Sequence, residues 1–411
     1  MGRRLQTAIG TALATGLLAS VLLACGGGGG GSSNGPGAPG VVAFAPFAEA
    51  TVVFGQPVFI YSEANQGAPA PSASSLACPG LPAIGPLFVP DVENHRVLGF
   101  AQTPIISNLD ANFVVGQPDF QFALPGLGAS AMRLPSAAAV AGGRLFVADS
   151  GNHRVLVYAG VPTSKGAAAA LALGQPDLVT GVPAAGHAGL RQPTGLSVSG
   201  GRVVVSDRAN HRVLVWHGVP ATSGAPADLV LGQADFEGTL LNRGGAVGRD
   251  TLFDPYGVWT DGTRLAIADR GNHRILLWRT FPTTNGQPAD VVLGQPDGST
   301  RLPGAGALGL TSPSDVHGRG DQLCVGDAGN HRVLLWYRLP DVDQAPAEGV
   351  LGQSDFDHRA PNDADQDGQA DGVPSARTLR SKEGVLSVRL DGSTLVVGDT
   401  GNHRVLLFRG E

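Results

Sequence analysis

One tripeptide dominates this chain. Asn-His-Arg occurs six times, beginning at Asn94, Asn152, Asn210, Asn272, Asn330 and Asn402, and each copy runs on into Val-Leu or Ile-Leu. An Asp precedes every Asn by three residues (Asp91, Asp149, Asp207, Asp269, Asp327, Asp399), and an aromatic follows it by six (Phe100, Tyr158, Trp216, Trp278, Trp336, Phe408). A second landmark, Gly-Gln, recurs at Gly55, Gly116, Gly174, Gly232, Gly294 and Gly352. Self-similarity at a regular period means one supersecondary unit repeated, each copy burying its apolar face against its neighbours.

The unit reads as strands. In the third copy, residues 195–198 and 202–206 alternate around the turn Ser199-Gly200-Gly201. Asp207 to Asn210 makes the next turn, residues 213–216 form a third strand and residues 228–232 a fourth. Four short antiparallel strands make a propeller blade. A chain with 61 Gly and 30 Pro but only 15% charged residues suits such a turn-rich β domain. The Asp, Asn-His-Arg and aromatic pattern resembles the NHL repeat over nearly the whole chain after its first residues, with a unit longer than that family usually shows. The resemblance implies an all-β, six-bladed β-propeller.

The order of landmarks predicts how the ring closes. A lone fourth strand, residues 50–55, precedes the first Asn-His-Arg, and the sequence reaches Glu411 just after a third strand. Residues 50–55 are therefore expected to pair with residues 405–408, removing free sheet edges. The first blade is the least regular. Glu93 replaces the usual Gly, Pro90 sits in the second strand, and residues 78–84 fit a first strand poorly.

Residues present in every blade are read as architecture. Asp and Arg are expected to form a charge-assisted pair bracing the turn, and the six His (His95, His153, His211, His273, His331, His403) to pack and hydrogen-bond between blades. The aromatic series reads as core, Gly-Gln as a strand end, and Gly151, Gly271, Gly329 and Gly401 as suppliers of positive φ. Cys324 aligns with Phe146, Val204 and Ala266, which makes it a small buried hydrophobe, and with Cys78 it implies no disulfide framework.

Arg3 and Arg4 precede an apolar stretch from Ile9 to Ala24, the pattern of an export signal, and Leu22-Leu23-Ala24-Cys25 resembles a bacterial lipobox. Residues 1–24 are expected to be removed, Cys25 lipidated, residues 25–48 to form a Gly/Ser/Pro-rich tether and residues 49–411 the propeller. The resemblance implies attachment to the membrane by lipid in the cell envelope, on the outer-membrane or periplasmic side, and the propeller is expected to be a monomer. Loss of the two arginines moves the formal charge from −6 to −8, which disfavours nucleic acid as a partner.

Second-to-third-strand turns share a propeller face with the long connections between blades. Residues 118–134, 176–192, 234–254, 296–312 and 354–382 therefore line one rim, where binding residues tend to sit. The non-repeated polar residues there and at the channel mouth are Arg133, Arg191, Gln192, Asp254, Tyr256, Asp315, His317, Lys382 and Glu383. His187, His317 and His358 fall on this side too, without metal-ligand spacing. The opposite-face turns read as too short to offer much. In the largest insertion, Asp363, Asp365, Asp367, Gln369 and Asp371 alternate like the ligands of EF-hand and dockerin calcium loops, but Pro374 stands where an EF-hand has its bidentate Glu. Calcium is the one cofactor this pattern points to. The expected function is a binding scaffold for a protein, peptide or glycan, with no catalytic residue assigned. The alternative, from other propellers of this kind, is a metal-dependent lyase or lactonase-like enzyme using the central channel.

Overall fold

The third unit shows why these sequences become blades. Arg202–Asp207 reads Arg-Val-Val-Val-Ser-Asp because both faces of the strand are covered. Val203 and Val205 pack with Phe146 and Val157 of the preceding unit, while Val204 packs with Val258 and Ile267 of the following one. Side chains alternate between faces with a period of two, so a strand buried on both sides is apolar throughout.

The computed structural model describes residues 40–411; the expected signal, Cys25 and the first part of the tether lie outside them. Among the described residues there is no α-helix. The third blade runs Pro193–Ser199, Arg202–Asp207, Arg212–Trp216, Leu229–Leu231, paired antiparallel in that order. The second, fourth and fifth blades repeat this arrangement. In the first blade only Leu87–Asp91, Arg96–Phe100 and Phe113–Val115 form a sheet, and the inner segment makes isolated bridges such as Leu81 to Ala137. The sixth blade combines Ser387–Asp391, Thr394–Asp399 and Arg404–Arg409 with Val52–Phe54, in register Val52 to Leu407, Val53 to Leu406 and Phe54 to Val405. The chain is an all-β, six-bladed propeller closed by its N-terminal strand.

The packed body starts earlier than residue 49. Val42 and Phe44 are buried, the Val42 N–H donates to Gln322 Oε1 at 2.9 Å, and Ala43 and Glu411 exchange backbone hydrogen bonds of 2.9 and 3.0 Å. Apolar side chains at alternate positions are the signal that the Gly-rich stretch before them concealed.

Each repeated turn is held by one buried ion pair. Asp207 Oδ2 accepts from Arg212 Nε at 2.7 Å and from Asn210 Nδ2 at 2.8 Å, and Oδ1 accepts the Arg191 N–H at 2.6 Å. Arg212 also donates to the carbonyls of Gly186, Gly189 and Phe236, tying two inter-blade loops to the turn. All six Asp–Arg pairs have fully buried side chains.

The turn's positive φ belongs to the His, not to the glycine. All six His sit at φ between 51° and 56°. The glycines two residues after the Asp have ordinary φ and are needed for a close approach instead. A Cβ on Gly151 would meet the Arg133 carbonyl oxygen at 2.6 Å. The backbone bond made there shows the effect, at 2.7–2.8 Å for Gly151, Gly271, Gly329 and Gly401 but 3.1 Å for Ala209 and 3.2 Å for Glu93.

Each His then reaches the next blade. Nδ1 of His95, His153, His211, His273, His331 and His403 accepts the N–H of Leu134, Gln192, Asp254, Ser312, Ser381 and Cys78 respectively, at 2.9–3.2 Å. Burial, the largest cause in each case, holds these imidazoles below their ordinary 6.5. The unfolded chain therefore takes up protons first as pH falls. The stability these rings contribute is complete above pH 6.5 and is lost as pH drops through the window below it. The urea midpoint should be flat from pH 8 to 7 and fall between pH 6.5 and 5, with net proton uptake on unfolding in that window. A midpoint that stays level to pH 5 would refute the inter-blade role.

Candidate functional site

The long connections share one face, and the Gln of each Gly-Gln pins them there. Gln117, Gln175, Gln233 and Gln295 donate through Nε2 to the carbonyls of Leu124, Val182, Leu240 and Leu302, each at 2.8 Å. The same Nε2 groups also donate to the carbonyls of His95, His153, His211 and His273. With its carbonyl held inward, each crest residue turns its side chain out. Leu124, Val182, Leu240 and Leu302 are 72%, 61%, 64% and 75% exposed. Four consecutive blade junctions thus present the same aliphatic crest, flanked by exposed Leu127, Val179, Leu241 and Leu308. Sequence reasoning overlooked it. The available signal was an apolar residue seven positions after each Gln, interrupted by Glu63 and Ala360 on the remaining two.

Of the predicted polar residues, Asp254, Tyr256, Lys382 and Glu383 come together over the loop-side end of the channel. Asp254 is paired with Arg208 at 2.6 Å and with Arg270 at 3.4 Å, and both guanidinium groups lie over the Tyr256 ring at 5.7 and 5.3 Å. Arg270 donates to the Glu383 carbonyl at 2.5 Å, and Lys382 pairs with Glu93 at 2.5 Å. Tyr256 is buried, packed in one cluster with Leu81, Leu196 and Val385 of other blades. Its phenol is pushed up to about 12 by burial, against the pull of Arg270 and Arg208. This end is a plug, charged above and apolar below. Arg208, Arg270 and Glu93 were missed, although they occupy the two positions after the turn Asp that vary while the rest repeats. Arg133, Arg191 and Gln192 stay apart from this group. Their side chains are exposed and their backbone N–H groups serve Asp149, Asp207 and His153.

Asp315 and His317 are not on the loop rim. They belong to the inner strand Pro313–Arg319 of the fifth blade. Asp315 is fully buried and spends both oxygens, on the Val316 and Val388 N–H groups at 2.9 Å each and on Arg389 at 2.6 Å. Burial lifts its carboxyl to about 6 despite Arg389. His317 lines a channel cavity of about 190 Å³ whose walls reach Ser199 and Thr260, beside the short first-to-second-strand turns. The channel thus offers space toward the face that the sequence reading set aside. His187 stacks on Phe236 and His358 bonds Asp355 at 2.8 Å, so the three isolated His do not converge.

In the acidic insertion, oxygens of Asp363, Asp365 and Asp371 lie within 4.8 Å of one another. Asp363 is fully buried and accepts the N–H groups of Asp367 and Gly368 at 3.1 and 2.9 Å. Asp371 accepts the Ala364 N–H at 2.7 Å. Asp367 is not part of this carboxylate grouping; its Oδ1 accepts the Gln369 N–H at 2.7 Å.

The model of the NHL repeat matches residues 132–158 and 190–216, which form the heart of the second and third blades. The chain carries NHL repeats. Among solved structures, the chain is similar to the computationally designed Ika8 protein (9% identity, 88% of this chain and 100% of that one, TM-score 0.40). It is also similar to streptogramin B lyase (9%, 86% and 97%, 0.41) and to the WD40 propeller domain of Doa1 (9%, 91% and 97%, 0.41). No curated protein matches it.

Proposed function

We propose that this NHL propeller is a binding scaffold whose long-loop face takes a protein or peptide partner. The observation that carries the reading is the arc Leu124, Val182, Leu240 and Leu302, held outward by one repeated hydrogen bond on four successive junctions. Exposed aliphatic side chains repeated on successive junctions favour an interaction surface. Its aliphatic character favours a polypeptide over a glycan, which would meet aromatic faces and polar groups. The mature chain would be attached through Cys25 to a membrane of the cell envelope.

The test is cross-linked capture from envelope extracts by the parent protein and by a variant with Leu124, Val182, Leu240 and Leu302 all replaced by Ser. A partner retained equally by the quadruple variant would reject the loop face, and a Cys25→Ser chain that still fractionates with membranes would reject the anchor. The acidic loop supports calcium binding through Asp363, Asp365 and Asp371. Titration calorimetry should show a dissociation constant on the order of millimolar that is lost in Asp365→Ala, and absence of heat from the parent protein removes calcium from the account.

A further inference from the structure

The channel cavity differs from a packed propeller centre at one level. Corresponding inner-strand positions place Ala83, Ala139 and Ser197 on three consecutive blades and Trp259, His317 and Arg389 on the other three, and all six line the same cavity. Small side chains on one half leave the space that functional groups on the other half face.

Arg389 is 5% exposed. Its Nη1 donates to Asp315 at 2.6 Å and to the Val388 carbonyl at 2.7 Å; among the described residues, Nε and Nη2 have no partner. That free edge is the fork that binds a carboxylate through two parallel hydrogen bonds. His317 Nδ1 accepts the Leu390 N–H at 3.2 Å, so the neutral ring carries its proton on Nε2 and is a second donor. Asp315 has no oxygen left to offer. The charged and ring groups of the cavity are therefore donors only, and a site made of donors asks for an acceptor. Ala83, Ile84, Ala139 and Trp259 give part of the wall an apolar surface, beside the hydroxyls of Ser197, Ser199 and Thr260.

We propose that this cavity is a binding site for a small organic carboxylate with a short apolar body, its carboxylate held by Arg389 and His317. The site opens on the face opposite the long loops and is independent of the partner proposed there. The Arg389 side chain is largely buried, yet Nε and Nη2 keep access to the cavity without a protein partner, which leaves them free for a ligand or water.

Titration calorimetry on the full chain in detergent, in chloride-free buffer, tests this with benzoate as probe, benzamide as its uncharged counterpart and inorganic phosphate as an anion without an apolar body. Benzoate should bind at least about tenfold more tightly than either, the range expected for losing one charge-assisted pair of bonds. Arg389→Met should weaken benzoate by at least about tenfold. Because that change strands Asp315, Ala139→Leu supplies the decisive second variant, filling the space from the opposite wall while leaving both donors in place. It should abolish binding with an unchanged melting temperature. No heat with benzoate, equal affinity for benzamide or phosphate, or undiminished benzoate binding in Ala139→Leu would each overturn the assignment.

Discussion

Asp207→Ala should destabilise the propeller by about 3–5 kcal/mol, the cost of leaving one member of a buried ion pair without its counter-charge. Arg212 is fully buried. After the substitution its guanidinium would keep the carbonyls of Gly186, Gly189 and Phe236 but lose the carboxylate at Nε. The same change deprives the Arg191 N–H and Asn210 Nδ2 of their acceptor, so two loops and a turn come loose together. Arg212→Lys should be costly as well, since a point-charge ammonium cannot replace a fork that meets four acceptors. Asp207→Ala combined with Arg212→Met should recover part of the loss, because removing both partners leaves no orphaned charge. Urea midpoints for the single and double variants give the answer. A single variant within about 1 kcal/mol of the parent would mean that the six repeated ion pairs are not the architecture and that their conservation of form across blades needs another explanation.

Much of this was legible because a repeat restates its local rules six times. The pairing of Asp207 with Arg212 lies five residues apart and the strand alternation is local, so spacing alone conveys both. Closure was legible for a different reason: the landmarks leave one strand over at each end, and only pairing Val52–Phe54 with Arg404–Arg409 satisfies both. What stayed hidden depends on the third dimension. Gly151 reads as a φ-supplying residue until the Arg133 carbonyl is seen pressing on it. His317 was marked by its departure from the repeat, but its pairing with Arg389 across the channel is invisible in sequence. They lie 72 residues apart, and the inner-strand position they share holds Ala83, Ala139, Ser197 and Trp259 elsewhere, which gives no common residue to align on. Departures from the repeat, at Arg208, Arg270 and Arg389, mark the chemistry better than the repeat itself does.

A chain that begins at residue 57 should fail to form a stable monomer. It lacks Val42, Phe44, Val52, Val53 and Phe54, each at most 7% exposed in the intact ring. At about 1.5–3 kcal/mol for burying each such side chain, the loss is on the order of the whole stability of a typical domain. It also uncovers the backbone of Arg404–Arg409, which now pairs with Val52–Phe54 on one side and Thr394–Asp399 on the other. An unpaired edge of that length recruits other chains, so light scattering should show particles larger than the parent gives. A chain beginning at residue 40 keeps every one of these contacts and should melt like the parent. The deletion should moreover be rescued in trans: a synthetic peptide of residues 40–57 would add as a strand to the open edge, and Gln56 would again donate to the carbonyls of Asn402 and His403. Rescue by that peptide, and none by one carrying Val53→Asp, would tie stability to the seam itself. A residue-57 chain that stays monomeric with the parent's melting temperature would show that the ring holds without its closing strand.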